Sequence, residues 1–136
     1  MRANGTFSVK AFNPTSLAPE PAIETALPVG VVLMEKLFDG GIAGRSATVF
    51  TAAFNQETGV GTYVAMESFD GTVDGREGAF NFVHSASTGG SDRSAEYFAI
   101  VPSSGTGQLA GISGTGGLAI DPDGTHRIWL DYEVAR

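Results

Sequence analysis

Phe38-Asp39-Gly40-Gly41-Ile42-Ala43-Gly44-Arg45 recurs 31 residues later as Phe69-Asp70-Gly71-Thr72-Val73-Asp74-Gly75-Arg76. A weaker third copy is Gly107-Gln108-Leu109-Ala110-Gly111-Ile112. The shared core is Gly, any residue, a branched or aliphatic residue, a small residue, then Gly. Asp-Gly or Ala-Gly between two β-rich runs suits a tight hairpin turn, because its second position needs positive φ and glycine takes that without strain. The repeat predicts three related hairpins, with turns at 43–44, 74–75 and 110–111.

Around these turns the chain reads as strand almost everywhere. Runs rich in Val, Ile, Thr and aromatics alternate with clusters of Gly, Asp and Ser. Eight strands are expected, near 6–12, 29–42, 45–55, 61–73, 76–86, 94–109, 112–120 and 125–134. No stretch of a dozen residues has a 3.6-residue apolar period. Residues 14–28 hold four of the six prolines and should be an irregular connection, with room for one helical turn near 23–27. The three tight turns fall at one end of the sheet, and the longer connections at 13–28, 55–60, 87–93 and 121–124 fall at the other. The expected fold is all-β: an eight-stranded antiparallel up-and-down barrel, closed so that no edge is exposed. The long-loop end is its mouth, where binding residues are expected.

Composition narrows the function. The 136 residues form a single β-barrel domain by length, with 8 Lys+Arg against 15 Asp+Glu, a net charge of −7 and no Cys. Without Cys there is no disulfide framework, thiolate metal site or thiol nucleophile. An acidic chain with dispersed bases is a poor match for nucleic acid or an anionic membrane. The first ten residues lack an apolar core for a signal peptide, so a cytoplasmic location is expected. The Gly-rich run 111–117 lacks the order of a phosphate-binding loop, so no nucleotide cofactor is expected. Asp121-Pro122-Asp123-Gly124 reads as a type I turn rather than the start of a calcium loop.

The hairpin turning at 74–75 fixes a register. Val73 faces Arg76, Phe69 faces Phe80, Glu67 faces Phe82 and Ala65 faces His84. Opposed residues share a face, so Tyr63, Glu67, Phe69, Phe80, Phe82 and His84 lie on one side. That aromatic side is expected to point inward, with Glu67 near mid-depth and His84 closer to the mouth. An inward Glu67 and His84, as diagonal neighbours, are candidate acid and base, or else a buried pair that fixes register. Lys36 is the counterpart of Glu67 in the first repeat. It can point inward to a carboxylate, but solvent is the commoner place for a lysine and is the expectation here. His126 alternates with Ile128, Leu130 and Tyr132, so it shares their face. Lys36, Tyr63, Phe69, Phe80, Phe82 and His126 are the candidate ligand-binding residues. No metal site is expected from Glu67, His84 and His126, which lack close ligand spacing. Trp129 is expected to cover an outer sheet face or a subunit contact.

The run Gly61-Thr62-Tyr63-Val64-Ala65-Met66-Glu67-Ser68-Phe69, the Asp74-Gly75-Arg76 turn, and Phe80-Asn81-Phe82-Val83-His84-Ser85 resemble a bacterial family of unknown function grouped with the allene oxide cyclase-like barrels. Phe98-Ala99-Ile100-Val101 followed by Gly105-Thr106-Gly107-Gln108-Leu109-Ala110-Gly111 is similar to a hairpin of allene oxide cyclases and dirigent proteins. The first likeness spans nearly the whole chain, the second one hairpin. They imply an allene oxide cyclase-like barrel, a homo-oligomer, and a small apolar ligand isomerised or cyclised without a cofactor. The pocket cysteine of the plant cyclases has no counterpart here. No catalytic residue carries over. A ligand carrier, or a structural module filled by its own side chains, are the other readings.

Overall fold

The computed structural model describes residues 1–135. Its strands are β1 (Arg2–Pro14), β2 (Val29–Gly40), β3 (Ile42–Asn55), β4 (Val60–Val73), β5 (Arg76–Gly89), β6 (Arg93–Ile100), β7 (Ser113–Ile120) and β8 (His126–Glu133). Each pairs antiparallel with the next, and β8 returns to β1, so the sheet closes into a ring. The ring is uneven: β6 and β7 share one register pair, Ala99↔Thr115. Among the described residues the only helical element is a 3-10 turn, Gly107–Leu109. No helix there is long and apolar enough to cross a membrane.

The β4–β5 hairpin has the register read from sequence, including Glu67↔Phe82 and Ala65↔His84. The expected first turn is displaced. The β2–β3 ladder runs to Phe38↔Gly44 and turns at Gly40-Gly41, not at Ala43-Gly44. Gly40 takes φ +102, and the Gly41 amide donates to the Asn4 carbonyl at 2.8 Å. Gly44 serves close strand approach instead, because a Cβ there would collide with the Asp70 carbonyl and crowd Gly71.

The third expected hairpin is not tight: β6 and β7 are antiparallel neighbours, but residues 101–112 join them instead of a turn at 110–111. β6 stops at Ile100, before Pro102, which has no amide to extend a ladder. The connection 101–112 then lies along β5. Val101 and Thr106 donate backbone bonds to Asn81 and Ala79, while Ser104, Thr106 and Gln108 side chains accept from the amides of Asn81, Ala79 and Glu77. Leu109, fully buried, plugs this end of the ring. A long connection therefore sits at the turn end as well, and loop length alone does not mark the mouth. No helical turn forms at 23–27; residues 15–28 are irregular as expected. Asp121 accepts from the Gly124 amide at 2.9 Å, as a type I turn requires.

Inward positions alternate along the strands. Phe38, Phe69, Phe80, Phe82, Phe98, Ile128 and Leu130 form one apolar cluster with Ile42, Val73 and Tyr132 toward the turn end. Trp129 lies on the outer face, packed over Gly117, with the Arg2 guanidinium 5.9 Å from its ring.

Candidate functional site

The aromatic face read from sequence is the inner one. Glu67, Phe69, Phe80, Phe82 and His84 are all buried, while Val64 and Met66 on the other face are about half exposed. The three phenylalanines pack at tilted angles, Phe69 to Phe80 with ring centres 5.2 Å apart and Phe80 to Phe82 at 6.2 Å, and all three are buried in the core cluster.

Lys36 departs from the expectation of solvent. It is 6% exposed, and its ammonium donates to Glu67 Oε1 at 2.8 Å. Lys36 sits opposite Ser46 on β3, and Thr48 sits opposite Glu67, so the pair shares an inner layer with two hydroxyls. Ser46 and Thr48 both donate to Oε1, at 3.1 and 2.5 Å. Among the described residues, Glu67 Oε2 is buried without a partner. A buried lysine is tolerable because a carboxylate and an aromatic face meet it: its ammonium is also 5.0 Å from the Phe7 ring centre.

Glu67 and His84 do not bond to each other. His84 instead meets Glu96, with Nε2 at 2.9 Å from Oε2. Arg93 donates to the same oxygen, Nη1 to Oε2 at 2.8 Å, and also donates to the Leu118 carbonyl. The Tyr63 hydroxyl lies 3.4 Å from His84 Nδ1. A carboxylate at Nε2 puts the imidazole proton there, leaving Nδ1 as acceptor for the tyrosine. Burial lowers the His84 pKa from its usual 6.5, outweighing Glu96, so the ring is neutral near pH 7. Burial raises the Tyr63 pKa; the Arg93 charge pulls it back and the Glu96 charge adds to the rise, with burial prevailing. Burial also pushes Glu96 up, but the bonds from His84 and Arg93 outweigh it and its pKa is lowered.

Glu96 reaches His84 because of a local irregularity. The β5–β6 register shifts between Ser85 and Ser87, and Ala95 takes φ +52. Such a bulge re-aims the side chain beside it. The alternation Glu96, Phe98, Ile100 is the sequence signal for an inward Glu96. The alternation Ser46, Thr48, Phe50 is the same signal on β3.

Next to the ends of the 15–28 connection there is an open space. Tyr63 is half-buried and stacks on Phe50 at 5.1 Å and 23°. Phe50 lines a space of about 290 Å³ with Phe12, Phe54, Pro14, Val32 and Ala52. His126 is placed elsewhere, its ring 5.0 Å from Phe7 on the β8 side. Of the residues singled out from sequence, the structure joins Lys36 to Glu67 and Tyr63 to His84, and leaves His126 apart from both.

Residues 3–132 match the family described as "Protein of unknown function (DUF3224)". None of the curated proteins matches the chain. A solved structure from Shewanella oneidensis MR-1, described as a protein of unknown function from the DUF3224 family, is 27% identical and superposes with a TM-score of 0.84. That alignment covers 100% of this chain and 98% of the other. A family match over nearly the whole length, together with a neighbour of the same family and the same fold, gives the conclusion that this chain belongs to the DUF3224 family.

Proposed function

We propose that the protein binds a small, largely apolar molecule at the mouth of the closed sheet. The supporting observation is the aromatic space of about 290 Å³ lined by Phe12, Phe50 and Phe54. Its size is near the lower bound for ligand sites, and its walls are mostly apolar. Phe69, Phe80 and Phe82 belong to the packed floor of the ring and not to the ligand's surroundings. The resemblance to allene oxide cyclase-like barrels agrees with an apolar ligand, though fold alone does not fix function.

A second reading adds chemistry, and a specific arrangement favours it. A neutral His84, oriented by Glu96, accepts from a tyrosine whose ring stacks on the wall of that space. Tyr63 then takes a proton from a hydroxyl or enolisable carbonyl that reaches past Phe50, while its own hydroxyl proton passes to His84 Nδ1, so that His84 is the base and the imidazolium formed returns the proton to the product by the reverse relay. This is cofactor-free isomerisation or cyclisation. It assigns His84 the role expected of it, with Glu96 as the orienting carboxylate in place of Glu67. Glu67 then holds Lys36.

The binding reading is tested by titrating 1-naphthol, an apolar bicycle with one hydroxyl, while recording amide and aromatic NMR shifts. Shifts confined to Phe12, Phe50, Phe54 and Tyr63 support it. A flat response to millimolar probe favours the filled, structural module instead. Once a ligand is in hand, His84→Ala should abolish its conversion while sparing its binding. Unchanged conversion rejects the acid–base roles.

A further inference from the structure

Residues 15–28, which join β1 to β2, leave and re-enter the sheet at the rim of the aromatic space: Pro14, Thr15 and Pro28 line it together with Phe12, Phe50 and Phe54. The segment is hydrogen-bonded to the sheet at one point. The Val31 carbonyl accepts from the Thr15 amide at 2.9 Å and from the Thr15 hydroxyl at 2.8 Å. Among the described residues, 16–28 form hydrogen bonds only within the segment, from the Leu17 amide to Thr15 and between Thr25 and Leu27. Every residue from 16 to 28 except Leu27 is exposed. Leu17 at 64% and Ile23 at 76% are the most exposed large apolar side chains among the described residues. Exposed aliphatics taken singly are common. These two differ because they stand on a segment fastened at the edge of a space whose own walls, Phe12 and Phe54, are 56% and 42% exposed.

We infer that this segment is a strap that closes over the aromatic space when an apolar molecule enters it, laying Leu17 and Ile23 on the bound molecule. The inference rests on the binding reading of the mouth given above. Reach allows it. Leu17 lies two residues beyond the Thr15 anchor and Ile23 five before Pro28, and extended chain covers about 3.3–3.6 Å per residue. Each side chain can therefore reach over a space of about 290 Å³ from its own end of the strap. Movement costs little, since no ladder bond holds residues 16–28. Closure removes apolar surface of the strap, the walls and the bound molecule from water. Prolines at 14, 19, 21 and 28 restrict the backbone, which reduces the entropy that ordering the strap must overcome. A connection this long without secondary structure is uncommon in a compact domain, and covering a binding site is one of its recurrent uses.

Titration of methyl-labelled protein with 1-naphthol, followed by NMR, tests it. Bound probe should give nuclear Overhauser contacts to the methyl groups of Leu17 and Ile23. Leu17→Ser combined with Ile23→Ser should bind the probe about tenfold more weakly, because two aliphatic side chains no longer leave water on closure. Both positions are exposed in the free protein, so the double variant should keep the near-ultraviolet circular dichroism of the wild type. Glu24→Gln, on the same strap but without an apolar change, should bind as the wild type does. Shifts at Phe12, Phe50 and Phe54 without strap contacts overturn the strap and leave the binding reading standing. So does a double variant whose affinity stays within about twofold of wild type. A wild type that does not bind the probe overturns both readings. Strap shifts that grow with protein concentration before any probe is added also overturn the inference, because the strap then docks on a second copy.

Discussion

Replacing Lys36 by Met removes the only cation from the interior layer that holds Glu67. The Glu67 carboxylate is then left 1% exposed, with Ser46 and Thr48 as its donors and one oxygen without any. Breaking a buried ion pair at one end typically costs about 3–5 kcal/mol. Two hydroxyl donors already on Oε1 moderate this, so a loss of about 3 kcal/mol at pH 7 is expected for Lys36→Met. Removing both ends with Lys36→Met and Glu67→Gln should recover most of it, because the double variant buries no net charge. A thermodynamic cycle of the two single variants and the double should therefore give a coupling of about 2 kcal/mol or more. Urea unfolding followed by far-ultraviolet circular dichroism reads it. With a slope of roughly 1–3 kcal/mol per molar, Lys36→Met should lower the midpoint by about 1–3 M. A Lys36→Met protein within about 1 kcal/mol of wild type would falsify the reasoning, since it would mean that the lysine lies in solvent.

Three further outcomes follow from the geometry. His84 has a folded pKa below its usual 6.5, so the unfolded chain takes up the proton first and stability should fall as pH drops through that window; histidine NMR should show an Nε2–H neutral ring at pH 7, and a pKa above 6.5 would contradict the Glu96–His84–Tyr63 arrangement. Gly44→Ala should cost several kcal/mol because its Cβ meets the Asp70 backbone, whereas Gly75→Asn, where nothing lies within 4 Å and the turn tolerates positive φ, should stay within about 1 kcal/mol; equal losses in thermal unfolding would dismiss the distinction. Burial and its bond to Asp74 push the Tyr132 pKa up to about 12, so in an alkaline ultraviolet titration Tyr132→Phe should remove a phenol that ionises near that pH, and an unchanged high-pH phase would contradict that burial.

The pattern of inner and outer faces was legible from alternation, and the β4–β5 register followed from one Asp-Gly turn. What the repeat could not convey is that a glycine motif serves two purposes. Gly75 makes a turn, while Gly44, at the same place in the repeat, lets β3 approach β4. Local sequence does not distinguish these, because the difference lies in a strand about 26 residues away. Pro102 was the local sign that β6 ends early, but the pairing of 101–112 with β5 is a long-range event. The Lys36–Glu67 pair follows from the face each residue occupies, so its sign was present in the repeat. Solvation is the usual fate of lysine, and only the closed ring shows that the inner layer is shut off from bulk solvent. Glu96 shares the alternation of Phe98 and Ile100, but its contact with His84 at the rim of the ring depends on the β5–β6 bulge, which alternation does not show.

The central claim is occupancy of the aromatic mouth, and mass spectrometry of small molecules extracted from natively purified protein tests it most directly. The wild type should carry a largely apolar molecule at near one per chain, and Phe50→Asp, folded by circular dichroism, should have lost it. An extract from the wild type no richer than that from Phe50→Asp would contradict the claim and leave the ring as a structural module.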